Sequence, residues 1–146
     1  MKDLLVLETI REWKGVKVTL YPVSWIHDSV IIGEGTKTGA FVDICENVVI
    51  GKGNNIQSHV TIPSGGKIGD GNFFGPACHL LNDKYVNSVL QAPEIGSHNR
   101  IGGAVLILPG VKIGDNCFVC AGAMITKDVP SGTEVLPTKM GGRVVW

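Results

Sequence analysis

Every sixth residue along most of the chain is apolar. Counting from Leu20, the series runs Ile26, Ile32, Thr38, Ile44, Ile50, Ile56, Ile62, Ile68, Phe74 and Leu80, broken only by Thr38. A second series, Ile95, Ile101, Ile107, Ile113, Val119 and Ile125, has no exception. Glycine often follows the apolar position, as at Gly33, Gly51, Gly75, Gly102 and Gly114. Two residues before it stands a small or β-branched side chain or Asn, such as Val30, Val42, Asn54, Asn72, Val105 and Ala123. Neither a helix (period 3.6) nor an ordinary strand (period 2) sustains a period of six. The pattern predicts a solenoid of short parallel strands. Each hexapeptide forms one side of a narrow prism, aims its apolar residue inward, and turns a corner where glycine relieves crowding. Three sides make a coil of about eighteen residues, so the register positions amount to roughly five to six coils.

The metre slips once. Fifteen residues separate Leu80 from Ile95, which is not a multiple of six. The spacing predicts a corner loop with about nine extra residues, within 82–94, on a scaffold whose loops are where function tends to sit. Its polar residues are Asn82, Asp83, Lys84, Tyr85, Asn87, Ser88 and Gln91. Both ends lie outside the metre, as caps that cover open strand edges and the aliphatic column. Residues 1–19 read as a short strand or helical turn followed by Lys14-Gly15, residues 20–127 as coils, and 128–146 as a terminal extension. The whole of 1–146 is expected to be one domain.

Thirteen basic and thirteen acidic side chains leave no net charge, which argues against a broad electrostatic grip on nucleic acid. No apolar run approaches the roughly 20 residues of a membrane span. The run Leu4-Leu5-Val6-Leu7 is too short for a signal-peptide core, and the expected location is the cytoplasm. Cys117 and Cys120 have C-x-x-C spacing, but no second such pair exists. Cys78 and Cys117 fall at small inward positions, where free cysteine behaves as a small hydrophobe. His27, His59, His79 and His98 do not share one phase of the repeat and form no H-x4-H pair, so no metal is expected.

Four stretches carry a family resemblance: Ile32-Gly-Glu-Gly-Thr-Lys37, Gly51-Lys-Gly-Asn-Asn-Ile-Gln57, Gly75-Pro-Ala-Cys-His-Leu-Leu-Asn82-Asp83, and Ile113-Gly-Asp-Asn with Gly122-Ala-Met-Ile-Thr-Lys-Asp-Val-Pro130. Over about residues 20–131 the chain resembles the hexapeptide-repeat acyltransferases that N-acetylate amino groups on nucleotide-linked sugars. The stretch ending Asn82-Asp83 is similar to the branch acting on 3-amino sugars. The resemblance implies an all-β fold, a single-stranded left-handed parallel β-helix, with acetyl-CoA as cosubstrate. It also implies a homotrimer whose active sites lie between subunits. By motif, Asn82 lies beside the sugar amine with Asp83 next to it, and Lys84 and Tyr85 are the expected substrate contacts. Gly103 and Ala121, one coil apart, with Thr126 and Lys127, are the expected acetyl-CoA contacts. The sequence departs from the family after Pro130, reading Leu136-Pro137-Thr138-Lys139-Met140. Lys139 and Arg143 remain as candidates to meet CoA phosphate.

Two other readings follow from the residues. Galactoside- and maltose-type O-acetyltransferases place a catalytic His shortly after the Gly-Pro segment, where this chain reads Asn82-Asp83-Lys84-Tyr85 and has none. His79 is instead the candidate for such a base. The third reading is a non-catalytic hexapeptide-repeat trimer that keeps the prism without the CoA groove.

Overall fold

The computed structural model describes residues 3–86, 88–137, 139–140 and 143–144. Asn87 and Thr138 of the expectations above, and the side chains of Lys139 and Arg143, lie outside the described residues. The prism has three faces of parallel two-residue strands. The first face contains Asp43–Ile44, Thr61–Ile62, His79–Leu80, Leu106–Ile107 and Met124–Ile125, preceded by Ser24–His27. The second runs from Ile31–Ile32 through Val49–Ile50, Lys67–Ile68 and Glu94–Ile95 to Lys112–Ile113. The third includes Lys37–Thr38, Asn55–Ile56, Phe73–Phe74, Arg100–Ile101 and Phe118–Val119. The chain is therefore the all-β hexapeptide-repeat solenoid, a left-handed β-helix, that the metre and the resemblance imply.

All the inward positions of the metre are buried, from Leu20 at 0 % exposure to Ile125 at 4 %, and the column they form is the core. Thr38 is buried there too, and its hydroxyl has no hydrogen-bond partner. Beside the column runs a polar ladder. Thr36 Oγ1 accepts the N–H of Asn54 at 3.1 Å, Asn54 Oδ1 accepts that of Asn72 at 2.8 Å, and Asn99 Oδ1 accepts that of Cys117 at 2.7 Å. The amide groups of Asn54, Asn72 and Asn99 also donate to corner carbonyls, at 2.8 Å each. Buried amides are affordable here because each is paired.

Two kinds of corner residue do different work. Glycine after the inward position is required by close approach, since a Cβ on Gly102 would lie 2.5 Å from the Ala121 nitrogen one coil on. The left-handed backbone falls elsewhere, three residues before the inward position, at Phe41 (φ 58°), His59 (63°), His98 (59°) and their equivalents. His59 stacks on Phe41, with ring centroids 5.0 Å apart.

Both ends add strands. The N-terminal segment is two antiparallel pairings, Asp3–Val6 on Ser24–His27 and Ile10–Trp13 on Val16–Leu20 around the Lys14-Gly15 turn, with no helical turn among the described residues. At the other end, Val129 pairs with Ile113, and Glu134–Val135 pairs with Phe118–Val119. Their spacing is 16 residues rather than 18 (113 to 129, 118 to 134), so one corner is two residues shorter. The solenoid pairing thus continues into the segment that counting in sixes assigns to the terminal extension.

Candidate functional site

The corner between the first and second faces takes four residues in ordinary coils, as at Pro63-Ser64-Gly65-Gly66 between strands ending at Ile62 and starting at Lys67. Between Leu80 and Glu94 it takes residues 81–93. Lys67 pairs with Glu94 across 27 residues, against 18 for Thr61 and His79, so the insertion is nine residues and leaves the stacking intact. Its base is closed by Gln91 N–H donating to Asn82 O at 2.7 Å and Gly110 N–H donating to Gln91 O at 2.8 Å.

Asn82 stands at that base, half-buried, and its Nδ2 donates to the Ser64 carbonyl one coil back at 3.1 Å. This fixes the amide and leaves Oδ1 as the acceptor it presents. The Asp83 carboxylate accepts the Ser88 hydroxyl at 2.8 Å, bracing the loop. Lys84 and Tyr85 are exposed, with the ammonium 5.6 Å from the ring centroid. At the tip, Val86 and Val89 are 89 % and 85 % exposed, an apolar surface that the reading of the loop as polar missed.

Beneath the loop run two columns of stacked side chains. On the first face, Asp43, Thr61 and His79 occupy successive strands, and His79 Nδ1 lies 3.1 Å from Thr61 Oγ1. Along the corner, Glu46, Ser64 and Asn82 have the same 18-residue spacing, and Ser64 Oγ donates to Glu46 Oε2 at 3.1 Å. Trp25, His27, Asp43, Ile44, Cys45, Glu46 and Ser64 line a cleft of about 500 Å³ there. Sequence reasoning missed Asp43, Thr61, Glu46 and Ser64. Stepping back eighteen residues from His79 and from Asn82 would have found them.

The expected acetyl-CoA contacts divide. Thr126 and Lys127 follow Ile125 at the same corner as the loop, two strands beyond His79, and both are exposed. Gly103 and Ala121 lie at the corner where the third face turns into the first, stacked through Gly122 N–H donating to Gly103 O at 2.9 Å. The two sets therefore flank opposite edges of the first face. A broader depression, about 800 Å³, lies on the second face over Gly69, Gly96 and Gly114. Its Glu94 is shared by Lys67 at 3.6 Å and Lys112 at 3.8 Å. It holds none of the candidate residues, which lie on the first face, its loop and its two edges. Cys78, inside the coil beneath His79, is fully buried and its Sγ donates to Gly102 O at 2.9 Å. Burial pushes its thiol pKa up, which opposes a nucleophilic role.

Comparisons with known proteins place this geometry. The bacterial transferase hexapeptide (six repeats) family matches residues 29–64 and 92–127. YvoF of Bacillus subtilis is 44 % identical over 57 residues, 39 % of this chain and 31 % of its own length. The chain spans less than a third of the length of the curated relatives it matches first. The acetyltransferase domain of PglB from Neisseria gonorrhoeae FA1090, solved with acetyl coenzyme A, superposes with a TM-score of 0.70 at 24 % identity, covering 80 % of this chain and 53 % of that one. PerB from Caulobacter crescentus, solved with CoA and GDP-perosamine, gives 0.51 at 22 % identity, covering 82 % and 53 %. At such identities these likenesses are of fold. Two matched blocks of hexapeptides, joined by coils that keep the same inward register, show that the chain belongs to the hexapeptide-repeat family of bacterial transferases.

Proposed function

We propose that this chain transfers the acetyl group of acetyl-CoA to the amine of a nucleotide-linked amino sugar, at a site completed between the subunits of a homotrimer. The observation that carries the reading is Asn82, which sits at the base of the only long corner between the described coils with its amide nitrogen already spent on Ser64. Its Oδ1 is an acceptor suited to a primary amine. The PglB domain solved with acetyl coenzyme A and PerB solved with CoA and GDP-perosamine support the same chemistry.

In this reading Asn82 Oδ1 accepts an N–H of the neutral amine and directs its lone pair at the thioester carbonyl. Corner backbone N–H groups stabilise the carbonyl oxygen as charge develops. Asp83 is committed to the loop brace and acts by fixing Asn82 and drawing the ammonium form near. Lys84 and Tyr85 meet the nucleotide-sugar from the loop. Thr126 and Lys127 on one prism edge, and Gly103 and Ala121 on the other, supply the two walls of an inter-subunit groove for acetyl-CoA. The small residues there let a pantetheine arm approach main chain.

A second reading, O-acetyl transfer to a sugar hydroxyl with His79 as base, is favoured by the exposed His79 ring and its Thr61 partner. Thiol release from acetyl-CoA, measured over a panel of nucleotide-linked amino sugars and their hydroxyl counterparts, separates the two. Turnover confined to the amines supports the first reading, and turnover confined to the hydroxyls overturns it. A chain that CoA fails to protect in a melting assay is a structural trimer instead, because ligand binding must raise stability by RT ln(1 + [L]/Kd).

A further inference from the structure

We propose that Thr61 is the positioning residue for His79: it holds the imidazole as the Nδ1–H tautomer and so leaves Nε2 as the proton acceptor at the transfer site. The proposal rests on the first face being that site.

The ring of His79 has one strand on either side. Across the register it faces Thr61 on one side and Leu106 on the other. Leu106 offers no polar atom, so the Thr61 hydroxyl, 3.1 Å from Nδ1, is the one polar side chain that neighbouring strands turn toward the ring. A hydroxyl carries one proton and two lone pairs, so the pair can be arranged either way round. The residue beyond decides it. Asp43 is paired with Thr61 in register on the next strand, roughly 4.8 Å away at the usual strand spacing. The Asp43 carboxylate accepts the Cys45 thiol at 3.8 Å, and its acceptor character on the far side of Thr61 favours the arrangement in which a Thr61 lone pair faces Nδ1–H. The charged groups of the loop that follows its own strand, Asp83 and Lys84, are engaged with Ser88 and Tyr85.

With the tautomer set this way, the step balances without a co-reactant. The acceptor nitrogen bonds to the thioester carbonyl carbon, one proton passes from that nitrogen to His79 Nε2, and the C–S bond breaks. The thiolate leaves and takes up the proton as the imidazole returns to its starting form. A base with the opposite tautomer would present N–H, not a lone pair, to the reacting nitrogen.

The test is nitrogen NMR of the full chain labelled with 15N-histidine, together with kcat against pH, for the parent, Thr61→Val and Thr61→Ser. In the parent, the His79 Nδ1 signal is expected in the protonated range and Nε2 in the unprotonated range at alkaline pH. Thr61→Val should reverse the assignment and lower kcat about three- to tenfold, leaving KM for acetyl-CoA unchanged. Thr61→Ser should restore both. Nε2–H in the parent, or Thr61→Val with an unaltered tautomer, overturns the proposal, as does a reversed tautomer with undiminished kcat. The NMR result needs no turnover, so a chain that acetylates no sugar would defeat the proposed function while the tautomer is still decided.

Discussion

The side-chain oxygen of Asn72 accepts the backbone N–H of Asn99 at 2.9 Å, although 27 residues separate them instead of the usual 18. The loop that carries the candidate site is thus spliced into the solenoid without breaking its polar ladder. Asn72 also donates to Gly96 O at 2.8 Å and to Asn54 Oδ1 at 3.1 Å, all inside the coil.

Replacing Asn72 by Ala strands the buried Asn99 N–H and removes the donor to the half-buried Gly96 carbonyl. A buried unsatisfied group costs about 1–3 kcal/mol, so the variant should lose at least about 1–3 kcal/mol in a denaturant titration at unchanged slope. Asn72→Ala with the parent's midpoint would show that the ladder contributes nothing to stability.

Thr38 makes the opposite case. It occupies an inward position of the aliphatic column, 2 % exposed, with its Oγ1 unpartnered. Valine has the same shape without the hydroxyl. Thr38→Val should therefore stabilise the chain, by about 1–2 kcal/mol on the cost of an unpaired buried hydroxyl. Thermal melting at fixed protein concentration reads the sign directly, and a lower Tm would mean that the hydroxyl has a partner after all.

How much of this was legible in the sequence follows the physics of the repeat. Inward packing, stacking at Gly102 and the nine-residue insertion are periodic constraints, and a period is visible in one dimension. The left-handed residue three before most inward positions was not visible, because L-residues such as Phe41 and His59 take it as well as glycine does here. The final strands were hidden by a corner two residues short, which throws a count in sixes out of phase. At the site, Asn82 and His79 drew notice through motif and side-chain chemistry. Their supports Ser64, Glu46 and Thr61 are ordinary surface residue types that matter only through a neighbour one coil away.

The loop tip carries a prediction about assembly. Val86 and Val89, at 89 % and 85 % exposed, with Tyr85 and Leu90 beside them, form an apolar surface of the kind that marks an interface. The full chain should sediment as a trimer, and the double change Val86→Asp with Val89→Asp should shift it toward monomer by tenfold or more in dissociation constant, on the order of the loss of two apolar anchors. A monomeric parent would remove the inter-subunit groove. A double variant that stays trimeric at nanomolar concentration would place the tip outside the interface.

The choice between the two chemistries comes down to Asn82 and His79. Asn82→Ala removes the oxygen that orients the amine and the tie to Ser64 that holds the loop base. Loss of an orienting contact in the transition state should lower kcat on the order of ten- to a thousandfold. His79→Ala removes a proton acceptor whose work the departing thiolate can take over, so it should cost about tenfold at neutral pH. Both side chains project from the outside of the coil, and circular dichroism should show the parent fold in each variant. Turnover is measured at saturating acetyl-CoA across pH. If His79→Ala is inactive at every pH while Asn82→Ala keeps near-parent turnover, the nitrogen acceptor gives way to a hydroxyl acceptor. The hydroxyl proton is then too tightly held for a thiolate to remove unaided, and the imidazole becomes indispensable.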